Sequence, residues 1–170
     1  MIRLIYGGSG SGKSEYAETL AVKEGGELKY IATMIPWGEE TEEKIKKHRR
    51  ARIGKGFETI ECYRDIGRLE LNENDTVLLE CMSNLTANEF FGDGADREKT
   101  AEKIVKDIKM ISEKCAVLII VSNNIFDDGT EYDKDTLEYM KCLAEINTRI
   151  AEMADDVTEV VCGIGVKICR

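Results

Sequence analysis

An eight-residue segment near the N-terminus constrains this chain more than any other feature. It fits the pattern G-x-x-x-x-G-K-[ST] and reads Gly7-Gly8-Ser9-Gly10-Ser11-Gly12-Lys13-Ser14. A predicted strand, Ile2–Tyr6, precedes it and a predicted helix, Ser14–Lys23, follows it, as this motif requires. Glycines let the backbone curl so that successive N–H groups point at phosphate oxygens. The segment therefore predicts a phosphate-binding loop, in which Lys13 reaches the β- and γ-phosphates of a nucleoside triphosphate and Ser14 ligates Mg²⁺.

Short apolar runs alternate with longer amphipathic segments along the rest of the chain. The predicted strands are Leu28–Thr33, Phe57–Glu61, Thr76–Glu80, Val117–Ser122, Val157–Val161 and Val166–Ile168. Helical spacing of apolar residues or helical composition marks 41–52, 101–108 and 140–153. This alternation is typical of an α/β fold, so we expect a P-loop NTPase-like architecture with a largely parallel sheet flanked by helices. No repeat or boundary interrupts the pattern, and residues 1–170 are predicted to form a single domain.

The composition argues against several other classes of protein. Among 170 residues there are 24 basic and 33 acidic side chains, a net charge of −9, which disfavours a nucleic-acid-binding surface. No apolar stretch approaches the roughly 18 residues of a membrane span, and the N-terminal apolar run is too short for a signal peptide. Six cysteines without a C-x-x-C pair and one histidine argue against a zinc site. We therefore expect a soluble, cytoplasmic protein with reduced cysteines.

A carboxylate at the end of a buried strand is the expected partner of the phosphate loop. The run Thr76–Glu80 has four residues that favour a strand and ends on Glu80. In this position Glu80 is predicted to hold Mg²⁺, directly or through water. The alternative is a strand-end glutamate that faces solvent, since aspartate is the commoner residue in this role.

Residues 44–55 are strongly basic and contain no acid, in contrast to the acidic chain around them. On a helix over about 41–53, one face would carry Ile45, His48, Arg49 and Arg52. Because Ile45 is apolar, this face is predicted to turn inward, where arginines bind phosphate oxygens and the imidazole of His48 is available as a nucleophile. Two alternatives stay open at this stage: a solvated surface histidine, and a small patch that binds anionic surfaces or RNA.

Taken together, several segments resemble the bifunctional cobinamide kinase/cobinamide-phosphate guanylyltransferase family of cobalamin biosynthesis. The resemblance runs nearly end to end. Besides the phosphate loop, it rests on Glu15-Tyr16-Ala17-Glu18, Tyr30-Ile31-Ala32-Thr33, Lys44-Ile45-Lys46-Lys47-His48 with Arg52, Thr59 and Glu61, Leu78-Leu79-Glu80-Cys81 with Asn88, and Gly163-Ile164-Gly165-Val166-Lys167-Ile168. The loop is shared by many families, whereas the segment around His48 and the C-terminal run are far more specific.

The resemblance implies roles for particular residues. His48 aligns with the nucleophile of the family, which becomes covalently guanylylated. The nucleotide-binding residues that it implies are, besides the eight residues of the loop, Ala32, Thr33, Met34, Arg49, Arg50, Ala51, Arg52, Glu61 and Glu80. Ser14 and Glu80 are the expected Mg²⁺ ligands.

The resemblance also implies a two-stage reaction and its ligands. A nucleoside triphosphate, GTP or ATP, would phosphorylate adenosylcobinamide. GTP would then transfer GMP through His48 to the resulting phosphate and give adenosylcobinamide-GDP. The implied acceptor is thus a corrinoid, and the implied assembly is a cytoplasmic homotrimer.

The chain departs from the family pattern at a few places. Gly10 and Phe57 stand where the family typically has arginine and tryptophan. The larger departure is the segment 123–145, where Asn123 to Thr130 and the later residues Leu137, Met140 and Ala144 replace the family's usual residues. One hypothesis is a different acceptor or a weakened activity, with a surface made acidic by Asp127, Asp128 and Glu131. Ordinary drift of a surface loop is an equally good explanation.

Two other functions are compatible with the loop. One is a small-metabolite P-loop kinase that does not use His48 covalently, and the other is a nucleotide-dependent switch or binding module.

Overall fold

The computed structural model describes residues 1–125 and 131–168. The strands are β1 (Ile2–Gly7), β2 (Glu27–Ala32), β3 (Glu58–Glu61), β4 (Asp75–Glu80), β5 (Val117–Asn123), β6 (Asp156–Val161) and β7 (Ile164–Ile168). The α-helices are α1 (Lys13–Glu24), α2 (Gly38–Arg52), α3 (Met82–Phe91), α4 (Thr100–Ser112) and α5 (Lys134–Met153). Short 3₁₀ turns lie at Ile66–Arg68 and Arg97–Lys99.

All seven strands form one sheet in the order β3-β2-β4-β5-β1-β6-β7. Neighbouring strands are parallel except β6 and β7, which form an antiparallel pair at one edge. Every residue of β4 is buried, as expected for an inner strand of a sheet whose two faces are both covered by helices. The predicted α/β fold with a largely parallel sheet is confirmed.

Two apolar clusters hold helices on the two faces of the sheet. On one face, α3, α4 and α5 pack through residues such as Leu85, Ile104 and Ile146. On the other face, α1 packs through Ala17 and Ala21. Helix α2 contributes to neither cluster, and Arg52 is the one buried residue among the α2 side chains that the structure describes. Helix α2 is therefore held mainly by contacts outside the two cores.

The parallel strands bring their carboxyl ends to one edge of the sheet. In the register of the sheet, Gly7 of β1 lies opposite Asn123 of β5, and Ala32 of β2 lies opposite both Glu61 of β3 and Glu80 of β4. Ligands of open α/β sheets bind in the crevice outside these ends. This edge is therefore where the predicted site residues converge.

Some elements differ from the sequence-based prediction. Helix α3 was not predicted, because Ser83, Asn84, Thr86 and Asn88 are residues of low helix propensity that obscure its apolar positions. Helix α2 begins three residues earlier than predicted, at Gly38. Across the described ranges, no helix combines the length and the apolar character needed to cross a bilayer.

Candidate active site

A cavity of about 680 Å³ opens at the carboxyl edge of the sheet. It is bounded by the phosphate loop on one side and by α2 on the other. Its wall includes Ser9, Gly10, Lys13, Ser14, Tyr30, Ala32, Met34, Ile45, His48, Arg49, Arg52, Thr59, Glu61, Tyr63, Glu80, Cys81, Ser83, Asn84 and Asn123. The phosphate loop and the single histidine of the chain, 34 positions apart, thus line the same cavity.

The phosphate loop has the curled backbone that its glycines allow. Gly10 and Gly12 have φ of 71° and 88°, in the left-handed region that favours glycine. The loop also lies close to the β6–β7 turn: Gly163 N donates to Ser11 O at 2.7 Å, and a Cβ on Gly12 would lie 3.0 Å from Gly163 Cα. Glycine at position 12 is therefore required both by the backbone conformation and by its neighbour.

Lys13 is folded over the loop. Its Nζ donates to Gly8 O at 3.0 Å, and the residue is only 8% exposed. Burial lowers the pKa of Lys13 from its ordinary value, while the charge of Glu80 acts in the opposite direction. A buried ammonium group with one carbonyl partner has donors left for phosphate oxygens.

Glu80 lies against the start of α1. Ser14 Oγ donates a hydrogen bond to Glu80 Oε1, and the Tyr30 hydroxyl donates to Glu80 Oε2 at 3.1 Å. Glu80 is 8% exposed, so the alternative of a solvent-facing glutamate is wrong. A serine hydroxyl next to a carboxylate is an oxygen donor set that suits Mg²⁺ completed by phosphate oxygens and water. The residues present thus fit the metal that the loop motif implies.

The predicted inward face of α2 lines the cavity. Ile45, His48, Arg49 and Arg52 are all part of the cavity wall, and His48 is half-buried. The alternative of a fully solvated surface histidine is therefore wrong. Arg50 and Ala51 are exposed and lie outside the cavity wall, because four consecutive helical residues cannot share one face.

The two arginines of this face have different partners. Arg49 forms an ion pair with Glu61, whose other oxygen accepts from the Tyr63 hydroxyl at 2.9 Å. Arg52 is 6% exposed, and its guanidinium carbon lies 3.4 Å from the centre of the Tyr30 ring. Within the part of the chain that the structure describes, Arg52 Nε and Nη1 have no hydrogen-bond partner.

Thr33 supports the wall from behind rather than lining it. Thr33 is fully buried. Its hydroxyl accepts a hydrogen bond from Cys81 N at 2.9 Å and donates one to Glu80 O at 3.0 Å. The Asn88 amide donates to Thr33 O at 2.8 Å and to Tyr63 O at 3.0 Å. These bonds fix the loop after β2, so that its neighbours Ala32 and Met34 face the cavity.

A polar corner at the end of β5 was missed by sequence reasoning. Asn123 Nδ2 donates to Ser83 Oγ at 2.6 Å, and the Tyr139 hydroxyl donates to Ser83 O at 3.0 Å. Burial raises the pKa of Cys81, which keeps its thiol protonated. The signal available in the sequence was the position of Asn123 directly after an apolar strand, at the edge where the other strands end.

Within the divergent segment 123–145, the structure describes 123–125 and 131–145. Asp127 and Asp128, predicted to make an acidic surface, lie outside the described residues. Glu131 and Leu137 are exposed, whereas Met140 and Ala144 of α5 are half-buried. None of these four described residues belongs to the cavity wall.

Comparisons with known proteins agree with the resemblance seen in the sequence. A family model described as "Cobinamide kinase / cobinamide phosphate guanyltransferase" matches residues 3–168. Two relatives named "Bifunctional adenosylcobalamin biosynthesis protein CobU" align over 182 positions that cover 99% of both chains. The protein of Escherichia coli (strain K12) is 28% identical and that of Salmonella typhimurium (strain LT2) is 30% identical to this chain.

Solved structures with low sequence identity share the fold. One of them, an ATPase domain, is 12% identical with a TM-score of 0.52, and the alignment covers 93% of this chain and 68% of that one. An ATPase from the type III secretion system of pathogenic bacteria is 11% identical with a TM-score of 0.56, covering 98% of this chain and 56% of that one. This similarity supports the P-loop ATPase-like fold.

Proposed function

Because this chain belongs to the cobinamide kinase / cobinamide phosphate guanyltransferase family, we propose that it carries out both reactions on adenosylcobinamide. The first phosphorylates the acceptor, and the second transfers GMP from GTP to the phosphate to give adenosylcobinamide-GDP. The observation that carries the proposal is the meeting of the phosphate loop and His48 in one cavity. Residues 1–170 would act as a single P-loop transferase domain.

In the kinase step, the phosphate loop binds the triphosphate of GTP or ATP. Backbone N–H groups of the loop and Lys13 would surround the β- and γ-phosphates, and Ser14 and Glu80 would hold Mg²⁺, which would supply positive charge to the site. The acceptor hydroxyl attacks the γ-phosphorus and loses its proton, the bond to the β–γ bridging oxygen breaks, and the nucleoside diphosphate leaves. Catalysis here is positioning and charge neutralisation.

In the transfer step, His48 makes the first attack. An unprotonated imidazole nitrogen attacks the α-phosphorus of GTP, the bond to the α–β bridging oxygen breaks, and pyrophosphate leaves. A phosphate oxygen of the acceptor then attacks the same phosphorus, and the N–P bond breaks. A direct attack by an anionic phosphate on a triphosphate meets charge repulsion, which a neutral imidazole avoids in the first step.

The arginines of α2 and Lys13 provide the charge for the leaving group. Arg52 lines the cavity and, within the described residues, its Nε and Nη1 have no hydrogen-bond partner, while Arg49 forms an ion pair with the exposed Glu61. Bidentate guanidinium groups match pyrophosphate oxygens well. As part of the same proposal, the resemblance implies a homotrimer, and the net charge of −9 disfavours a role in nucleic-acid binding.

Labelling with GTP carrying ³²P at the α-phosphate tests the proposal. Acid-labile, base-stable label on the protein, lost in His48→Asn, is the expected result. The matched control is Lys47→Gln, which removes an exposed charge from the same helix outside the cavity wall and should keep the label. Absence of label with acceptor-stimulated hydrolysis would instead indicate a kinase without a covalent intermediate, and binding without any transfer would indicate a switch.

The divergent segment 123–145 gives the proposal a second test. If it alters the acceptor or weakens one activity, one of the two half-reactions will be slow with the full corrinoid substrate. Normal rates in both half-reactions would show that the sequence of this segment has changed by ordinary drift, without an effect on either activity.

A further inference from the structure

Tyr30 lies between the two charged sides of the cavity. It is on β2, 4% exposed, and its hydroxyl donates to Glu80 Oε2 at 3.1 Å. One face of its ring carries the Arg52 guanidinium at 3.4 Å, and the edge-on ring of Phe57 packs against it with centroids 6.3 Å apart. A single side chain thus contacts the carboxylate of the metal site and the buried arginine of α2.

The state of Arg52 indicates what this arrangement is for. A guanidinium that is 6% exposed and has Nε and Nη1 without partners in the described residues is costly unless a ligand completes it. Stacking on an aromatic ring offsets part of this cost without using the N–H groups. Because Arg52 also lines the cavity, these buried and unpartnered donors are left for an anion bound there to complete.

Tyr30 also explains why Arg52 and Glu80 do not simply neutralise each other. Both oxygens of Glu80 already accept from neutral hydroxyl groups, those of Ser14 and Tyr30. The ring of Tyr30 occupies the space beside the carboxylate and carries the guanidinium on its face.

We propose that Tyr30 is a positioning residue, which keeps Arg52 on one side and Glu80 on the other so that both act on the same phosphate chain. The inference rests on the proposed function of the cavity as a triphosphate site. In this role the Tyr30 hydroxyl positions Glu80, the proposed Mg²⁺ ligand, and the Tyr30 ring positions Arg52, the proposed phosphate ligand. These two parts are separable by mutation.

The test uses the full chain and a fluorescent GTP analogue as the probe, with affinity measured in EDTA and over a Mg²⁺ titration. Tyr30→Phe keeps the ring and loses the donor. It is expected to leave the affinity in EDTA unchanged and to raise the Mg²⁺ concentration at half-saturation about tenfold or more, as loss of one hydrogen bond to a charged group implies. Tyr139→Phe, outside the cavity wall, removes a hydroxyl that donates to Ser83 O instead and should leave this Mg²⁺ dependence unchanged.

Tyr30→Leu removes the ring as well. It is expected to lower the affinity in EDTA about tenfold, as Arg52→Met does, because an unstacked guanidinium no longer holds its position. The double variant Tyr30→Leu/Arg52→Met should bind no more weakly than Arg52→Met alone.

Two outcomes would overturn the proposal: multiplicative losses in the double variant, or a Tyr30→Phe protein whose Mg²⁺ dependence matches wild type. The near-isosteric Tyr30→Phe decides the question even if Tyr30→Leu fails to fold, which a thermal melt reveals. Labelling of His48 in the wild-type chain is independent of these results, so failure of the positioning role remains distinct from failure of the proposed function.

Discussion

The two sides of the cavity are built differently. On the loop side, β1 and α1 pack in one of the two apolar clusters, and Ser14 of α1 bonds Glu80 of β4. Lys13 and Glu80 are each 8% exposed. On the α2 side, none of the described side chains of the helix belongs to the two apolar clusters, and the helix is anchored by the stack of Arg52 on Tyr30 and by the exposed Arg49–Glu61 pair. The loop side is therefore held by the packed core, whereas the side that carries His48 is held by polar contacts.

This difference matches a division of labour between two reactions. Any phosphoryl or nucleotidyl transfer needs the triphosphate to be held in the same way, which favours a rigid loop. In the proposed transfer step, His48 must first meet the α-phosphorus and later present the bound GMP to the acceptor phosphate. A helix with few core contacts opens more readily than one packed in the core.

The largest expected effect separates the two sides by activity. Lys13→Met should slow both half-reactions by about a hundredfold or more, because both use the same bound triphosphate. His48→Asn should reduce guanylyl transfer at least as strongly and leave the kinase rate near wild type. The kinase rate is measured with γ-labelled nucleotide and adenosylcobinamide. The guanylyl transfer rate is measured with α-labelled GTP and adenosylcobinamide phosphate. If the kinase rate fell as far in His48→Asn as in Lys13→Met, the assignment of different roles to the two sides of the cavity would be contradicted.

How far the sequence predicts this arrangement depends on the range of the contacts involved. The loop motif and its flanking elements are local, so Lys13 and Ser14 could be placed from spacing alone. Glu80 followed from the rule that carboxyl ends of parallel strands meet at one edge. His48 depended on a single apolar residue, Ile45, to indicate which way the helix turns.

What the sequence could not predict are contacts between distant segments. Tyr30 donates a hydrogen bond to Glu80, which is 50 residues away in the sequence, and its ring stacks on Arg52, at the end of α2. No periodicity of the sequence encodes either contact. Thr33 lies in a segment that the resemblance quoted, but its role as a buried support became visible only with its bonds to the backbone of Cys81. Polar residues in tertiary contacts carry no local pattern, unlike apolar residues at a helical or strand period.

The second prediction concerns the rigidity of the loop side. Gly12→Ala combines a φ of 88° with a close approach to Gly163, so it should lower the free energy of unfolding by about 2 kcal/mol. Gly8→Ala is the matched control, because a Cβ there meets no atom within 4 Å, and it should change stability by less than about 0.5 kcal/mol. Urea unfolding of both variants measures the difference. Equal stabilities would show that the loop is not fixed by its neighbours.

The third prediction uses the burial of Lys13. Because burial lowers the pKa of Lys13, the unliganded amine loses its proton at a lower pH than an ordinary lysine. Bound phosphates favour the charged form and raise the pKa, so binding must take up protons in the alkaline range, and affinity must fall there as the pH rises. Calorimetric titration with nucleotide in buffers of different ionisation enthalpy, from about pH 8 to pH 9.5, measures the uptake. The Lys13→Arg variant, whose arginine keeps its charge throughout this range, should take up no protons on binding. Proton uptake of the same size in Lys13→Arg would mean that another group takes up the protons.

The smallest expected effect is on the α2 side. The Arg49 and Glu61 side chains are 57% and 47% exposed, so Glu61→Gln should change the free energy of unfolding by less than about 1 kcal/mol, and less still at high salt. Because the pair helps to hold α2 near the cavity, amide hydrogen exchange in α2 should nevertheless become faster in Glu61→Gln while exchange in α1 stays unchanged. Bound nucleotide should slow α2 exchange in both proteins, since phosphates replace Glu61 as a partner of the basic face. Equal acceleration in α1 and α2 would mean that the two sides of the cavity open together.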